Sequence, residues 1–376
     1  MADVKGVLTT LNHVLPTGLD SARLAQWRLK DGRSYDQLRA DVAASLDGVN
    51  SALLQRWGDL LYVSTDDYLE YQNGGGDSNM PDITELDRIE PQKGETVGHM
   101  IDLREKGDAI GGTTKFFRDA RESVITASLN GLVNRGRNTF EQSLLGRAMN
   151  DGENLLGTSG YDVGFASGSQ TVTYVPPAYN GQTFLNSHDH YIGVDSDSYG
   201  YDDLLDNLAE TVHEHGHEAP FIAYVSEADV ASYRGLENYV RMTRFAYDRG
   251  GATSGNLFFT GGSMPGLPNV GGRLIGFYDS AYGEIELRAT NRIPTAYAFL
   301  YKSAGINDPD NPLYVRVHPA VGFGFYISEI PSYNTTYPVK TIEVRIEYGI
   351  SCGRDRTRGA AGYLHSDGLW VDPTIS

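Results

Sequence analysis

The chain has 376 residues, of which 40% are hydrophobic and 21% charged, enough for a large buried core and for two or three domains. Its formal net charge is −18, with 31 Lys and Arg against 49 Asp and Glu, which argues against a protein that wraps nucleic acid through phosphate contacts. The single cysteine, Cys352, excludes an intramolecular disulfide and any cysteine-based zinc cluster.

The N-terminus has no apolar core of a secretory signal, and no window approaches the roughly eighteen apolar residues of a membrane span. A cytoplasmic site of synthesis without membrane attachment is expected. The 44 glycines and 24 tyrosines point to many turns and to strands with aromatic faces.

Residues 1–65 read as an N-terminal segment with helical pieces at 21–30 and 34–63. Leu38, Val42, Leu46, Val49, Leu53, Leu54 and Trp57 fall at helical spacing, with Ser34 as N-cap. Residues 66–112 are acidic, rich in glycine and poor in large apolar residues. They are too long for an ordinary connection. They read as a disordered linker or as a long two-stranded projection, and the alternations DITELDRI and VGHMIDL lean toward the second.

The strongest helix spans 119–150, with Val124, Ile125, Leu129, Leu132, Val133, Phe140, Leu144, Leu145 and Ala148 on one stripe. Gly131 and Gly136 interrupt it, either to bend it or to admit a close neighbour. Residues 155–330 read as a separate α/β unit. A helix over 201–215 is followed by a buried strand, PFIAYVS. Ser226 then caps a new helix with Asp229 as its capping-box partner. TGGSMPGLPNVGG (260–272) is loop, while RLIGFYDS and EIELRAT are strand-like. In TIEVRIEY (341–348), Ile342, Val344, Ile346 and Tyr348 alternate with polar residues, as in a half-buried strand.

HEHGH (213–217) has the H-E-x-x-H spacing of a zinc peptidase, with His213 and His217 as ligands and Glu214 as base. Gly216 and Pro220, however, are stop signals. They place His217 beyond the helix end, and Glu237 is a third ligand by spacing only. The bland reading is a helix terminus whose imidazoles complement the dipole, with weak adventitious metal binding by the three clustered histidines. SHDHYIGVDSDSYGYDD (187–203) mixes His188, Asp189, His190, Asp195 and Asp197, but lacks the glycine and glutamate of a calcium loop. It reads as an acidic surface loop. Cys352 lies beside Arg354 and Arg356 without a base partner and reads as a packed thiol. Arg354, Arg356 and Arg358 form the one dense basic run. It suits a solvated loop or an interface with the acidic 66–112 segment of a neighbouring copy.

The order of these segments resembles the major capsid proteins of tailed bacteriophages, the Hong Kong 97 fold. GTTKFFRDARESVITASLNGLVNRGRNTFEQSLLGRAMNDGENLLG looks like the family's spine helix. DDLLDNLAETVHEHGHEAPFIAYVSEADVASYRGLEN looks like its axial-domain helix, strand and helix. VKTIEVRIEYGISCGRDRTRGAAGYL with the closing DPTIS is similar to its C-terminal strand and turn.

The resemblance implies an α+β fold. Residues 1–65 would be an N-terminal arm, 66–112 an extended E-loop hairpin, 113–155 and 331–376 the peripheral domain, and 156–330 the axial domain. It implies a structural, non-enzymatic subunit without cofactor. Such a subunit self-assembles into hexamers and pentamers of an icosahedral shell around double-stranded DNA, and is located in the virion after assembly in the host cytoplasm. The DNA would be enclosed without sequence-specific binding. A separate scaffolding protein, a portal and a decoration protein are the implied partners, and no membrane takes part.

Inter-subunit contacts are expected at Lys93, Lys106, Arg354, Arg356 and Arg358. Some family members seal their shells with a Lys–Asn isopeptide bond. Residues 341–376 contain neither Lys nor Asn, which excludes a bond from that strand and leaves Lys93 or Lys106 with Asn334 as a disfavoured pair. The alternatives are an encapsulin-type cargo shell, a zinc metallohydrolase using His213, Glu214 and His217, and a monomeric binding module with an acidic linker.

Overall fold

The computed structural model describes residues 29, 30, 32, 35–74, 95–152, 163–170, 173–241, 272–328 and 339–375. In chain order its elements are α1 (Tyr35–Trp57), β1 (Leu61–Ser64), β2 (Tyr68–Asn73), β3 (Glu95–Met100), β4 (Arg104–Thr113), α2 (Thr114–Asp119) and α3 (Glu122–Met149). There follow β5 (Tyr191–Asp195), α4 (Tyr201–His213), β6 (Phe221–Ser226), a 3-10 turn (Glu227–Asp229), α5 (Val230–Tyr233), β7 (Tyr239–Arg241), β8 (Arg273–Ser280) and β9 (Gly283–Thr290). The last strands are β10 (Tyr297–Tyr301), β11 (Leu313–Arg316), β12 (Phe325–Ser328), β13 (Val339–Cys352) and β14 (Gly359–His365). The chain divides into two units. One takes the described parts of 1–51, 105–138 and 324–347, and the other takes those of 52–104, 139–323 and 348–376.

The larger unit is built on a seven-stranded mixed sheet in the order β5-β14-β10-β6-β9-β8-β7. Central β6 runs parallel to β9 and antiparallel to β10. Its apolar run is buried almost throughout, as expected of a strand covered on both faces. Alternation along β10 assigns the two faces. Ala298 and Leu300 join the cluster formed by Leu204, Leu205, Leu208, Ala209 and Val212 of α4, and each fully buried leucine contributes about 1.5–3 kcal/mol. Gly362 on β14 lets this helix approach closely, since a Cβ there would lie 2.6 Å from Leu204 Cδ1.

Phe299 and Tyr301 face the other way and stack with Phe165 and Tyr224, and Trp57 at the end of α1 packs against Tyr224. β14 therefore sits inside the same sheet as strands from the 156–330 stretch, although it comes from the C-terminal segment.

Within the same unit, β1 pairs parallel with β11, which pairs antiparallel with residues 349–352 of β13. β2 and β3 form a two-stranded antiparallel pair, with Tyr68 opposite Met100 and Asn73 opposite Glu95. This pair is not bare of core contacts, as its composition suggested. Leu69 packs with Ile101 and Tyr314, and Tyr71 packs with Ala166 and Tyr174.

The smaller unit contains β12, antiparallel to residues 343–346 of β13. Asn50 of α1 holds β12 by its backbone: its Oδ1 accepts from Phe325 N at 2.7 Å and its Nδ2 donates to Phe325 O at 3.0 Å. Helix α3 runs 28 residues, about 42 Å, without interruption at either internal glycine. At Gly136 a Cβ would meet Phe325 Cε1 at 2.5 Å, so close packing explains that glycine, whereas Gly131 has only Arg135 Nη1 near, at 3.7 Å.

The predicted apolar stripe is otherwise correct except for Val124, which is 50% exposed, and Val133, which is half-buried. The helix begins later than expected because Ala120 is extended and caps α2. Ser226 does cap the following turn by accepting from Ala228 N, but Asp229 is not its capping-box partner. Its carboxylate instead accepts from Ala296 N. The Ser34 cap, and the 260–271 part of the expected loop, lie outside the described residues.

Candidate functional site

Helix α4 stops where the glycine signal placed it. Its last helical residue is His213, Glu214 N still donates to Glu210 O, and Gly216 takes φ +89°. The H-E-x-x-H pair therefore does not form a one-turn ligand set. His213 stays on the helix with its ring 5.6 Å from that of Tyr282. His217, past the turn, bonds Thr357 Oγ1 at 2.9 Å and lies 3.2 Å from Asp355 Oδ2.

The turn instead carries the spacer, His215, to the two histidines that precede β5. Nε2 of His215 lies 2.9 Å from Nε2 of His188 and 3.1 Å from Nε2 of His190. Among the described residues these three form the one group with metal-ligand geometry, their ligand atoms all lying within 4.8 Å of one another. Glu214 Oε1 stands 3.1 Å from His188 Nε2 and 3.9 Å from His215 Nε2. Phe184 covers the cluster, its ring 4.9 Å from that of His188 and 4.2 Å from that of His215. His190 is fully buried, and its Nδ1 donates to Gly359 O at 2.8 Å. Burial, then the neighbouring His215 and His188, hold its pKa well below the ordinary value. Burial, then His188 and His217, bring His215 down to about 3.

Sequence reasoning placed His188 and His190 in a surface loop and gave His215 only a part in weak metal binding by the 213–217 imidazoles. The available signal was H-x-H at the entrance to an apolar run, with a third histidine just past a helix. Three carboxylates of the 187–203 stretch, those of Asp189, Asp195 and Asp203, bond locally. Asp195 accepts from Asp197 N and Ser198 Oγ, and Asp189 accepts from Tyr191 N.

The basic run separates into three environments. Arg354 is exposed, and Arg358 is partly buried with its Nε 3.4 Å from Asp355 Oδ2. Arg356 is fully buried, which removes it from any surface contact and corrects the expectation for this residue. Its guanidinium donates to Gly164 O at 2.9 Å, Phe165 O at 3.2 Å and Gln170 Oε1 at 2.5 Å, and lies over the Tyr174 ring. A buried cation needs such a set of acceptors, and residues 164–170 supply it. Cys352 is buried, and burial pushes its thiol up to about 12, consistent with a packed, unreactive side chain.

In the smaller unit, Arg345 bonds Glu105 at 2.7 Å and Glu343 at 2.6 Å, and Arg135 bonds Asp108 at 2.6 Å. Lys106 lies half-buried on β4 beside this network, while Lys93 and Asn334 lie outside the described residues. No helix among the described residues is long and apolar enough to cross a membrane.

No protein-family model matches the chain, and no curated protein does. Among solved structures it is similar to a chain of Mycobacterium phage Patience, at 20% identity, covering 96% of this chain and 97% of that one with a TM-score of 0.60. It also matches the capsid of an empty GTA particle at 10% identity, covering 84% of this chain and 90% of that one with a TM-score of 0.48. The mature capsid of bacteriophage PhiM1 matches at 10% identity, covering 82% and 86% with a TM-score of 0.46. The chain shares the fold of the mycobacteriophage chain.

Proposed function

We propose that the chain is the major capsid subunit of a tailed double-stranded DNA virus, assembling into hexamers and pentamers of an icosahedral shell. The observation that carries this reading is the end-to-end match to the mycobacteriophage chain, covering 96% of one chain and 97% of the other. A match of that extent leaves little of this chain for a further catalytic domain, and the reading is of a structural rather than an enzymatic protein.

The charge fits the role. A shell with a net −18 on each subunit repels the phosphate backbone and so suits enclosure without tight binding. In this reading the 66–112 segment is the E-loop, anchored at its base by Leu69, Tyr71 and Ile101. Arg354 with Arg358 is the basic counterpart to that acidic segment, and Lys93 and Lys106 within the segment are further inter-subunit contacts. Residues 113–155 with 331–347 serve as the peripheral domain and 156–330 as the axial domain, whose sheet β14 of the 331–376 stretch completes. A separate scaffolding protein, a portal and a decoration protein are the further partners. A shell also rests on many modest interfaces repeated around closed rings.

Sedimentation velocity of the purified chain tests this reading. A shell subunit gives capsomer-sized or larger species that grow with concentration. A single 41.2 kDa species at every concentration and salt, alone and with co-expressed partners, contradicts it.

A further inference from the structure

We propose that His188, His190 and His215 bind one divalent first-row transition ion of the zinc class through their Nε2 atoms, with the Glu214 carboxylate as fourth ligand. The argument is one of protons. A carbonyl oxygen only accepts, so His190 carries its hydrogen on Nδ1, bonded to Gly359 O, and presents a lone pair at Nε2. For the His190–His215 contact to be a hydrogen bond, His215 must donate from Nε2. For the contact of His188 with Glu214 to be one, His188 must donate from Nε2 as well. The remaining contact, His188 to His215 at 2.9 Å, then sets two N–H groups against each other. With neutral rings, no arrangement of single protons satisfies all three contacts.

A cation at the centre does so at once, because it takes three lone pairs and a carboxylate oxygen. Tetrahedral zinc with Zn–N near 2.0–2.1 Å separates its ligand nitrogens by about 3.4 Å. The observed 2.9 and 3.1 Å need an opening of a few tenths of an ångström, while the third pair, His188 and His190, within 4.8 Å, closes toward the same spacing.

The surroundings are those of a built site. The His190 Nδ1–H bond to a backbone carbonyl is the orienting contact that metal-bound imidazoles commonly make. Imidazole donors suit zinc, copper and nickel over calcium or magnesium. Glu214 closes the fourth position and Phe184 covers the rings, so the geometry is that of a structural ion. Such an ion would fasten two segments, the approach to β5 and the turn after α4, with the start of β14 joined to them through the His190 bond to Gly359 O.

The test is metal binding by the tag-free, full-length chain after chelator treatment, using Zn2+ for stoichiometry and Co2+ as a spectroscopic probe. The expected result is one ion per chain, a tetrahedral Co2+ absorption band, and a rise in melting temperature on adding Zn2+. His188→Ala and Glu214→Gln keep the circular dichroism of the parent. His188→Ala weakens binding at least tenfold, and Glu214→Gln changes the Co2+ band. His213→Ala and His217→Ala leave both unchanged. Absence of stoichiometric binding by the folded parent would overturn the site, as would equal binding by the parent and His188→Ala. So would loss on His213→Ala or His217→Ala with retention on His188→Ala. Each of these readouts is independent of shell assembly.

Discussion

Two arginines eleven positions apart on the C-terminal stretch live in opposite surroundings. Arg345 sits on the outward face of β13, where strict alternation places it, and shares an exposed carboxylate, Glu105, and a part-buried one, Glu343. Arg356 sits in the turn before β14, fully buried among carbonyl oxygens and tyrosine rings. The difference teaches that a run of basic residues is not by itself a surface. The backbone decides which member turns inward, and the acceptors waiting there decide whether a buried charge is tolerated.

The sharpest break of this comparison is Arg356→Ala. It leaves Gly164 O, Phe165 O and Gln170 Oε1 without their donor. A loss on the order of 3 kcal/mol or more is expected in the denaturant midpoint. Arg356→Lys recovers only part of it, because a point charge cannot reach three acceptors in a plane.

The next effect is in pH. Burial, then Arg356 and Arg147, hold the His99 pKa down at about 3, and its Nε2 meets Ser351 Oγ at 2.6 Å. In the unfolded chain this imidazole titrates near 6.5. Its neutral form therefore favours the fold above that pH, and the contribution falls as pH drops from about 6.5 toward 3. His99→Gln is expected to flatten the stability profile across that window; an unchanged slope would remove His99 from the account.

Smaller effects come from the two glycines of α3. Gly136→Ala drives a methyl against Phe325 and is expected to cost about 1–3 kcal/mol. Gly131→Ala meets nothing closer than 3.7 Å and is expected to stabilise by up to about 1 kcal/mol. Thermal denaturation of the pair separates close packing from helix propensity. Smallest is Arg345→Ala, because an exposed ion pair is worth about 1 kcal/mol or less and is screened by salt. Its hydrogen bond holds the Glu105 carboxyl below the usual carboxylate range. The small stability it adds is present at neutral pH and is lost as pH falls through that depressed value.

The sequence was legible where local pattern and burial coincide. TIEVRIEY reads as a strand because Val344, Ile346 and Tyr348 alternate inward, and RLIGFYDS, EIELRAT and FIAYVS are bounded by turn residues. β14 was hidden because GAAGYLH has the small residues that a close helix demands in place of β-branched ones, and Gly362 under Leu204 is the reason. β11 is only four residues long, too short for a periodic signal.

At the histidine cluster, the visible H-E-x-x-H spacing pointed to the wrong imidazoles. Gly216 cancels that spacing. The real neighbours, His188 and His215, are 27 positions apart and meet only because α4 ends where β5 begins its approach. Arg356 was misread because acceptors contributed by residues 164–170 leave no trace near residue 356.

The most direct measurement is electron microscopy of the purified chain, alone and co-expressed with the products of its neighbouring genes. The account predicts closed icosahedral shells or capsomer rings with five- and six-fold symmetry. A homogeneous monomer under all of those conditions would contradict it.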